Sequence, residues 1–116
     1  MVVATRPALR YHGGKARAAN WIISHFPEHR IYCEPYGGSA AVLIAKPPAQ
    51  LDVWNDKAQH VRDFFTVLRR RPASLIRAIR NTPYHRDEAL EAERRLRCGE
   101  TGDALETARL VYVQSF

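Results

Sequence analysis

Small and apolar residues recur with a helical period over 16–24, with Trp21, Ile22 and the alanines forming an inner side, and Pro27 ends the pattern. IYCE, residues 31–34, is a short apolar run that carries strand-favouring Ile and Tyr and stops at Pro35, so it reads as a buried strand. The PYGGSA turn then opens a run of small apolar residues over 40–45, suited to a helix packed closely on a sheet, and Pro47-Pro48 ends it. Residues 51–54 make a second short strand. Asn55-Asp56 is expected to cap a helix over 57–70 in which Val61, Phe64, Phe65 and Leu68 keep helical spacing. Strand, glycine turn, helix, strand, acid, helix is the order of a βαβ unit, and the fold class it predicts is α/β with a parallel sheet.

After Arg71 the pattern is helical throughout. Residues 72–80 predict a helix with proline in its first turn and Leu75, Ile76 and Ile79 inward. Thr82-Pro83 is a break, 85–98 a strongly charged helix and 99–102 a loop. Asp103 can cap a last helix in which Leu105, Ala108, Val111 and Tyr112 recur at helical intervals. In the charged helix, Glu91 with Arg95 and Glu93 with Arg97 stand four apart and are expected to pair on the surface. Only two strands are predicted, which leaves sheet edges that α/β domains normally bury. The expectation is therefore an incomplete α/β architecture, a βαβ unit plus helices, with self-association through the open edges as a further expectation.

Composition changes this picture in one respect. A hydrophobic share of 46% against 26% charged residues excludes a disordered or collagen-like chain, but 18 Lys and Arg against 12 Asp and Glu give a formal charge of +6. That excess fits a polyanionic partner; the alternative is arginine merely solvated on helix faces. Arg69, Arg70 and Arg71 form a run with no acid beside it, and with Arg86 they are the phosphate-contact candidates, against the alternative of a solvated helix end. Cys33 and Cys98 lie far apart, and neither they nor His12, His25, His29, His60 and His85 show metal-ligand spacing, so no metal site and no disulfide framework is expected. With no apolar run of signal-peptide or membrane-spanning length, the expected location is the cytoplasm.

Three strings carry candidate chemistry. In CEPYGGSA a strand ends in an acid, Glu34, and turns through Gly37 and Gly38 into a helix; such a corner can bring backbone N–H groups to a ligand, or be no more than a tight turn. The string departs from GxGxxG and from the P-loop, which disfavours a dinucleotide or ATP. Asp56, after the second strand, stands where an acid in a nucleotide-binding βαβ unit accepts from both ribose hydroxyls, or caps the next helix. In YHGGK, the Gly13-Gly14 pair and Lys15 offer donors and a cation at a helix start, while Tyr11 can lie on a purine; an ordinary turn is the alternative.

Taken together, RYHGGK, EPYGGSAAVL, VWND, FFTVLRRRP and TPYHRDE resemble, in order and spacing, the adenine-specific DNA methyltransferases related to the bacterial Dam enzymes. The resemblance runs from Leu9 to the final YVQSF. It implies a Rossmann-like fold that binds S-adenosylmethionine and methylates the exocyclic amino group of adenine in double-stranded DNA. It also implies that residues 1–71 are the N-terminal part of the cofactor-binding domain and that 72–116 begin the DNA-recognition region. Tyr11, Gly13, Gly14 and Lys15 match the N-terminal cofactor motif; Glu34, Pro35, Tyr36, Gly38 and Ala40 match the acid-Pro-aromatic-Gly motif, with Gly37 and Ser39 between them; Asp56 matches the ribose-binding acid. Two residues depart from the family's habit: Ala40 stands where a second glycine is usual, so that its methyl is expected to crowd the methionine moiety, and His12 stands where Pro or Ala is usual.

The family's catalytic DPPY-type string, whose Asp or Asn and Pro carbonyl accept from the target amine while the aromatic stacks on the flipped base, occurs nowhere in these 116 residues. No catalytic residue is therefore assigned, and the expectation is an N-terminal enzyme fragment inactive by itself. Two rival readings remain: a non-catalytic cofactor- or DNA-binding module, and a small basic nucleic-acid-associated protein whose glycine turns are structural.

Overall fold

The computed structural model describes residues 6–11 and 13–116. Its elements are α1 (Ala19–Ile23), β1 (Ile31–Glu34), α2 (Ala41–Ala45), β2 (Leu51–Trp54), α3 (Gln59–Arg70), α4 (Pro72–Arg80), α5 (Arg86–Cys98) and α6 (Ala104–Val113). Two compact units divide after Lys57, and α3 packs with the later helices.

The first unit is a βαβ unit whose strands run parallel, with Ile31 opposite Leu51, Tyr32 opposite Asp52, Cys33 opposite Val53 and Glu34 opposite Trp54. α2 packs on α1 through small residues, and Ala19, Ala41 and Val42 are buried there. The strands are not buried as expected. Because side chains alternate across a strand, Ile31, Cys33, Leu51 and Val53 share one face, and among the described residues that face is open, with Ile31 64% exposed. α1 is also shorter than its pattern: Ala16–Ala18 form a turn closed by the Ala18 N–H to the Lys15 carbonyl at 3.1 Å. A five-residue helix presents little more than Ala19 to its neighbour, and Trp21 points outward at 69% exposure, its ring against His25 at 4.5 Å.

Beneath the sheet lies a charge that the hydrophobic pattern does not announce. Lys46 follows α2 with its side chain buried, donating to Asp52 Oδ1 at 2.6 Å and to the Pro47 carbonyl at 2.8 Å, with Nζ 4.6 Å from the centre of the Tyr32 ring. A buried ammonium persists only when its donors are met, and these partners meet them. The hydrogen bond from Lys46 holds the Asp52 carboxyl below the ordinary carboxylate range.

The second unit is helical. α6 packs against α3, α4 and α5, so apolar positions on most of its circumference are buried: Ala108, Leu110, Val111 and Val113 are at most 2% exposed, whereas Leu105 and Tyr112 are only partly covered. α3 contributes Val61, Phe64 and Val67, and α4 contributes Leu75. Ile76, expected inward, is 45% exposed, because a nine-residue helix touching its neighbours along a narrow stripe seats one Leu there and turns the next position out. α3 starts two residues later than predicted, with Ala58, which has no side-chain acceptor, at its N-cap. The Asp103 cap forms as predicted, its Oδ1 accepting from the Glu106 N–H at 2.8 Å.

The surface pairing of α5 differs from the i,i+4 expectation. Arg94 bridges Glu91 and Glu100, and Arg95 reaches Glu106 at 2.7 Å rather than Glu91. Glu106 also receives Arg109 at 2.7 and 2.8 Å, and Arg109 donates onward to Thr82 Oγ1 at 2.9 Å. Tertiary partners at partly buried positions outcompete exposed pairs, which are worth a few tenths of a kcal/mol.

The Arg109 hydrogen bonds, with the one from Arg95, pull the Glu106 carboxyl down to about 2. A carboxyl lowered by folding stabilises the native state above its unfolded value of 4.5, and that contribution disappears as pH falls from 4.5 towards 2. After solvent screening of a partly exposed group, the expected contribution is ~1–2 kcal/mol. In urea titrations at a series of pH values, Glu106→Gln should be less stable than the parent above pH 5 and should lose part of the parent's slope below it; parallel profiles would refute the assignment.

Candidate functional site

Strand register builds the site. Past the last paired residues the ladder continues: the Asn55 N–H donates to the Glu34 carbonyl at 2.8 Å and the Gly37 N–H to the Asn55 carbonyl at 2.8 Å. The Asn55 side chain also donates to the Pro35 carbonyl at 3.2 Å. These bonds lay the loop after β1 against the loop after β2 and leave Asp56 beside Gly38, whose N–H donates to Asp56 Oδ2 at 2.8 Å. Gly38, at φ +53°, then turns the chain away, and the Ala40 N–H closes the corner on the Gly37 carbonyl at 2.9 Å.

The second corner packs on the first. The Gly14 N–H donates to the Tyr11 carbonyl at 2.9 Å, and the Tyr11 ring lies 3.2 Å from where a Gly38 side chain would begin. A Cβ on Gly14 would stand 3.4 Å from Ser39 Oγ. Lys15 folds back so that Nζ donates to the Gly13 carbonyl.

The corners and Asp56 border one hollow of about 510 Å³, within the ~300–1,000 Å³ range of small-molecule sites. Tyr11, Gly13, Gly14 and Lys15 line it from one corner, Glu34, Pro35, Tyr36, Gly37, Gly38 and Ser39 from the other, and Asp56 from the end of β2. His12 lies outside the described residues. Four lining residues escaped the sequence reading: Tyr32, Cys33, Ala41 and Val42. For Tyr32 a signal existed, because it precedes Glu34 by two on a strand and so shares its face.

Ala40 differs from its neighbours. It is buried at 2% exposure and does not line the hollow, and its backbone is left-handed at φ 55° and ψ 31°. Its methyl therefore carries a cost in backbone strain. Left-handed geometry costs an L-residue ~1–2 kcal/mol, partly offset by the smaller unfolded-state entropy of alanine. Ala40→Gly should raise stability by a net ~0.5–1 kcal/mol in urea unfolding, and a lower midpoint would contradict the strain.

The amides at these corners behave differently from the simplest expectation. The N–H groups of Gly14, Gly37, Gly38 and Ala40 all donate within the protein, so they hold the corners together rather than point at a ligand. The acids Glu34 and Asp56 border the same space, and an acid-lined hollow suits a cationic, donor-rich molecule better than a phosphate. Tyr36, at the rim, is 83% exposed and free to cover a planar group.

The arginine candidates lie in the second unit. Arg69 and Arg70 end α3, Arg71 joins it to α4, and Arg86 opens α5; all four are exposed and make no ion pair among the described residues. Arg94 and Arg95, by contrast, are held by acids. Among the described residues no group of three or more His, Cys, Asp or Glu could hold a metal ion, and no helix is long and apolar enough to cross a membrane.

As a class, the first unit is a mixed helix and strand arrangement, a parallel βαβ unit with a glycine corner and an acid at its strand ends. Within that class the family is defined by sequence: the profile of the D12 class N6 adenine-specific DNA methyltransferases matches residues 11–98, and the chain belongs to that family. A comparison with curated proteins gave no match.

Proposed function

We propose that this chain is the S-adenosylmethionine-binding part of an N6-adenine DNA methyltransferase of Rossmann-like architecture. The observation that carries the reading is the shared hollow, bordered by both glycine corners, Glu34 and Asp56. The residues fit the cofactor. Its sulfonium and ammonium groups suit the two carboxylates, its ribose hydroxyls are donors for Asp56, and its flat adenine suits the rings of Tyr11 and Tyr36.

When bound, the cofactor supplies an electrophilic methyl group. The chain's own residues would bind and orient it: Asp56 by accepting from the ribose, Glu34 by accepting from an N–H or O–H of the ligand, and Gly13, Gly14, Gly37, Gly38 and Ser39 by keeping the wall clear of bulky side chains, with Pro35 and Lys15 at its borders. Ala40 would act through the shape of the corner. Double-stranded DNA would meet Arg69, Arg70, Arg71 and Arg86 through its phosphates, with residues 72–116 as the start of the recognition region and 1–71 serving the cofactor. No DPPY-type string is present in the sequence, and methyl transfer needs a base held in line with the methyl, so the chain by itself is proposed to bind without catalysing. The open strand edges would then serve contact with further polypeptide, a second copy included.

Isothermal calorimetry with S-adenosylmethionine tests the reading. Saturable heat, competed by S-adenosylhomocysteine and unaffected by ATP, is the expected result. No heat from the folded chain, or equal competition by ATP, would reject it.

A further inference from the structure

The end of β1 carries a linked set of side chains in the wall of the hollow. Tyr32 and Glu34, two apart on one strand face, are joined by a hydrogen bond from the Tyr32 hydroxyl to Glu34 Oε1 at 2.6 Å. The Tyr32 ring is itself held: Lys46 Nζ lies 4.6 Å from its centre and Phe26 stands 5.3 Å away. Lys46 is fixed in turn by Asp52, which sits opposite Tyr32 in the neighbouring strand. This chain of contacts leaves the hydroxyl one well-defined direction. The other carboxylate oxygen, Glu34 Oε2, stands 3.0 Å from where a Gly37 side chain would begin, on the side covered by the Trp54 indole, while Glu34 itself borders the hollow. Burial and the bond to Glu34 push the Tyr32 phenol well above its ordinary range, in keeping with a hydroxyl that donates to the carboxylate.

We infer that Tyr32 is a positioning residue: held on the Lys46–Asp52 pair, it occupies Glu34 Oε1 and thereby fixes the carboxylate at the border of the hollow, where Oε2 accepts a hydrogen bond from the cofactor. The inference rests on the reading of the hollow as the S-adenosylmethionine site. An unheld carboxylate would sample several rotamers and lose part of its binding to that freedom. Removing the hydroxyl while keeping the ring leaves Lys46 its aromatic partner, so Tyr32→Phe is expected to fold.

The test is a double-mutant cycle read by calorimetry with S-adenosylmethionine on the unaltered chain, Tyr32→Phe, Glu34→Ala and the double variant, with thermal unfolding of each. Tyr32→Phe should weaken binding about fivefold in the unaltered background and leave it unchanged where Glu34 is already alanine. A Tyr32→Phe protein that binds as tightly as the parent, or one that loses the same factor in both backgrounds, overturns the positioning role while the cofactor site stands. Absence of heat from the unaltered chain overturns both.

Discussion

Gly37→Ala is expected to lower stability by ~3 kcal/mol, at the upper end for inserting a methyl into a packed site, and to abolish the heat of S-adenosylmethionine binding. A Cβ at Gly37 would fall 2.1 Å from Trp54 Nε1 and 2.3 Å from its Cδ1, distances that no packed carbon tolerates. The indole stands at the end of β2, opposite Glu34 in the register, so the shift it must make falls at the strand end that sets Asp56 beside Gly38. The cause is steric, since Gly37 does not use a positive φ. Gly13→Ala is the contrast: at φ +74° with open space around it, only the backbone resists, and a loss of ~1 kcal/mol is expected. Urea unfolding followed by tryptophan fluorescence checks both, and a Gly37→Ala midpoint equal to the parent's would show that Trp54 does not cover the corner.

Asp56→Ala should weaken S-adenosylmethionine binding about a hundredfold, the product of two losses. One is the acceptor for the Gly38 N–H at 2.8 Å, without which the corner loses its tie to the end of β2. The other is the proposed pair of hydrogen bonds from the ribose. Asp56→Asn separates them, because an amide oxygen still accepts from Gly38 while the charge is gone; about a tenfold loss is expected there. Calorimetry reads both variants. Unchanged affinity in Asp56→Ala would remove the carboxylate from the binding site, and equal losses in the two variants would assign the whole effect to its charge.

Much of this site is written locally in the chain. Both strands have the predicted bounds, because Pro35 after β1 and the Pro47-Pro48 pair before β2 leave a short apolar run no other extent. Glycine pairs mark corners because few other residues reach their backbone angles, and Gly13 and Gly38 do take positive φ. The Asp103 cap is equally local, since its acceptor and the Glu106 N–H lie within one turn. Less legible were features that depend on what a residue meets across the fold. Trp21 and Ile76 satisfy a helical period, yet period alone does not reveal how wide a stripe the neighbouring element covers. Arg95 stands correctly spaced for Glu91 and pairs instead with Glu106, which only tertiary packing brings near.

Sequence alone determined the order of elements, the two glycine corners, the acids Glu34 and Asp56 and the family, because these follow from residue type, spacing and backbone permissiveness within a few positions. Tertiary structure decided that the corners share one hollow, that their amides bond inward, that a buried Lys46 stands under Tyr32 and that Ala40 takes a left-handed backbone. The physical reason is strand register: parallel pairing of residues twenty apart, Ile31 with Leu51 through Glu34 with Trp54, sets which side chains meet, and no local pattern encodes that alignment.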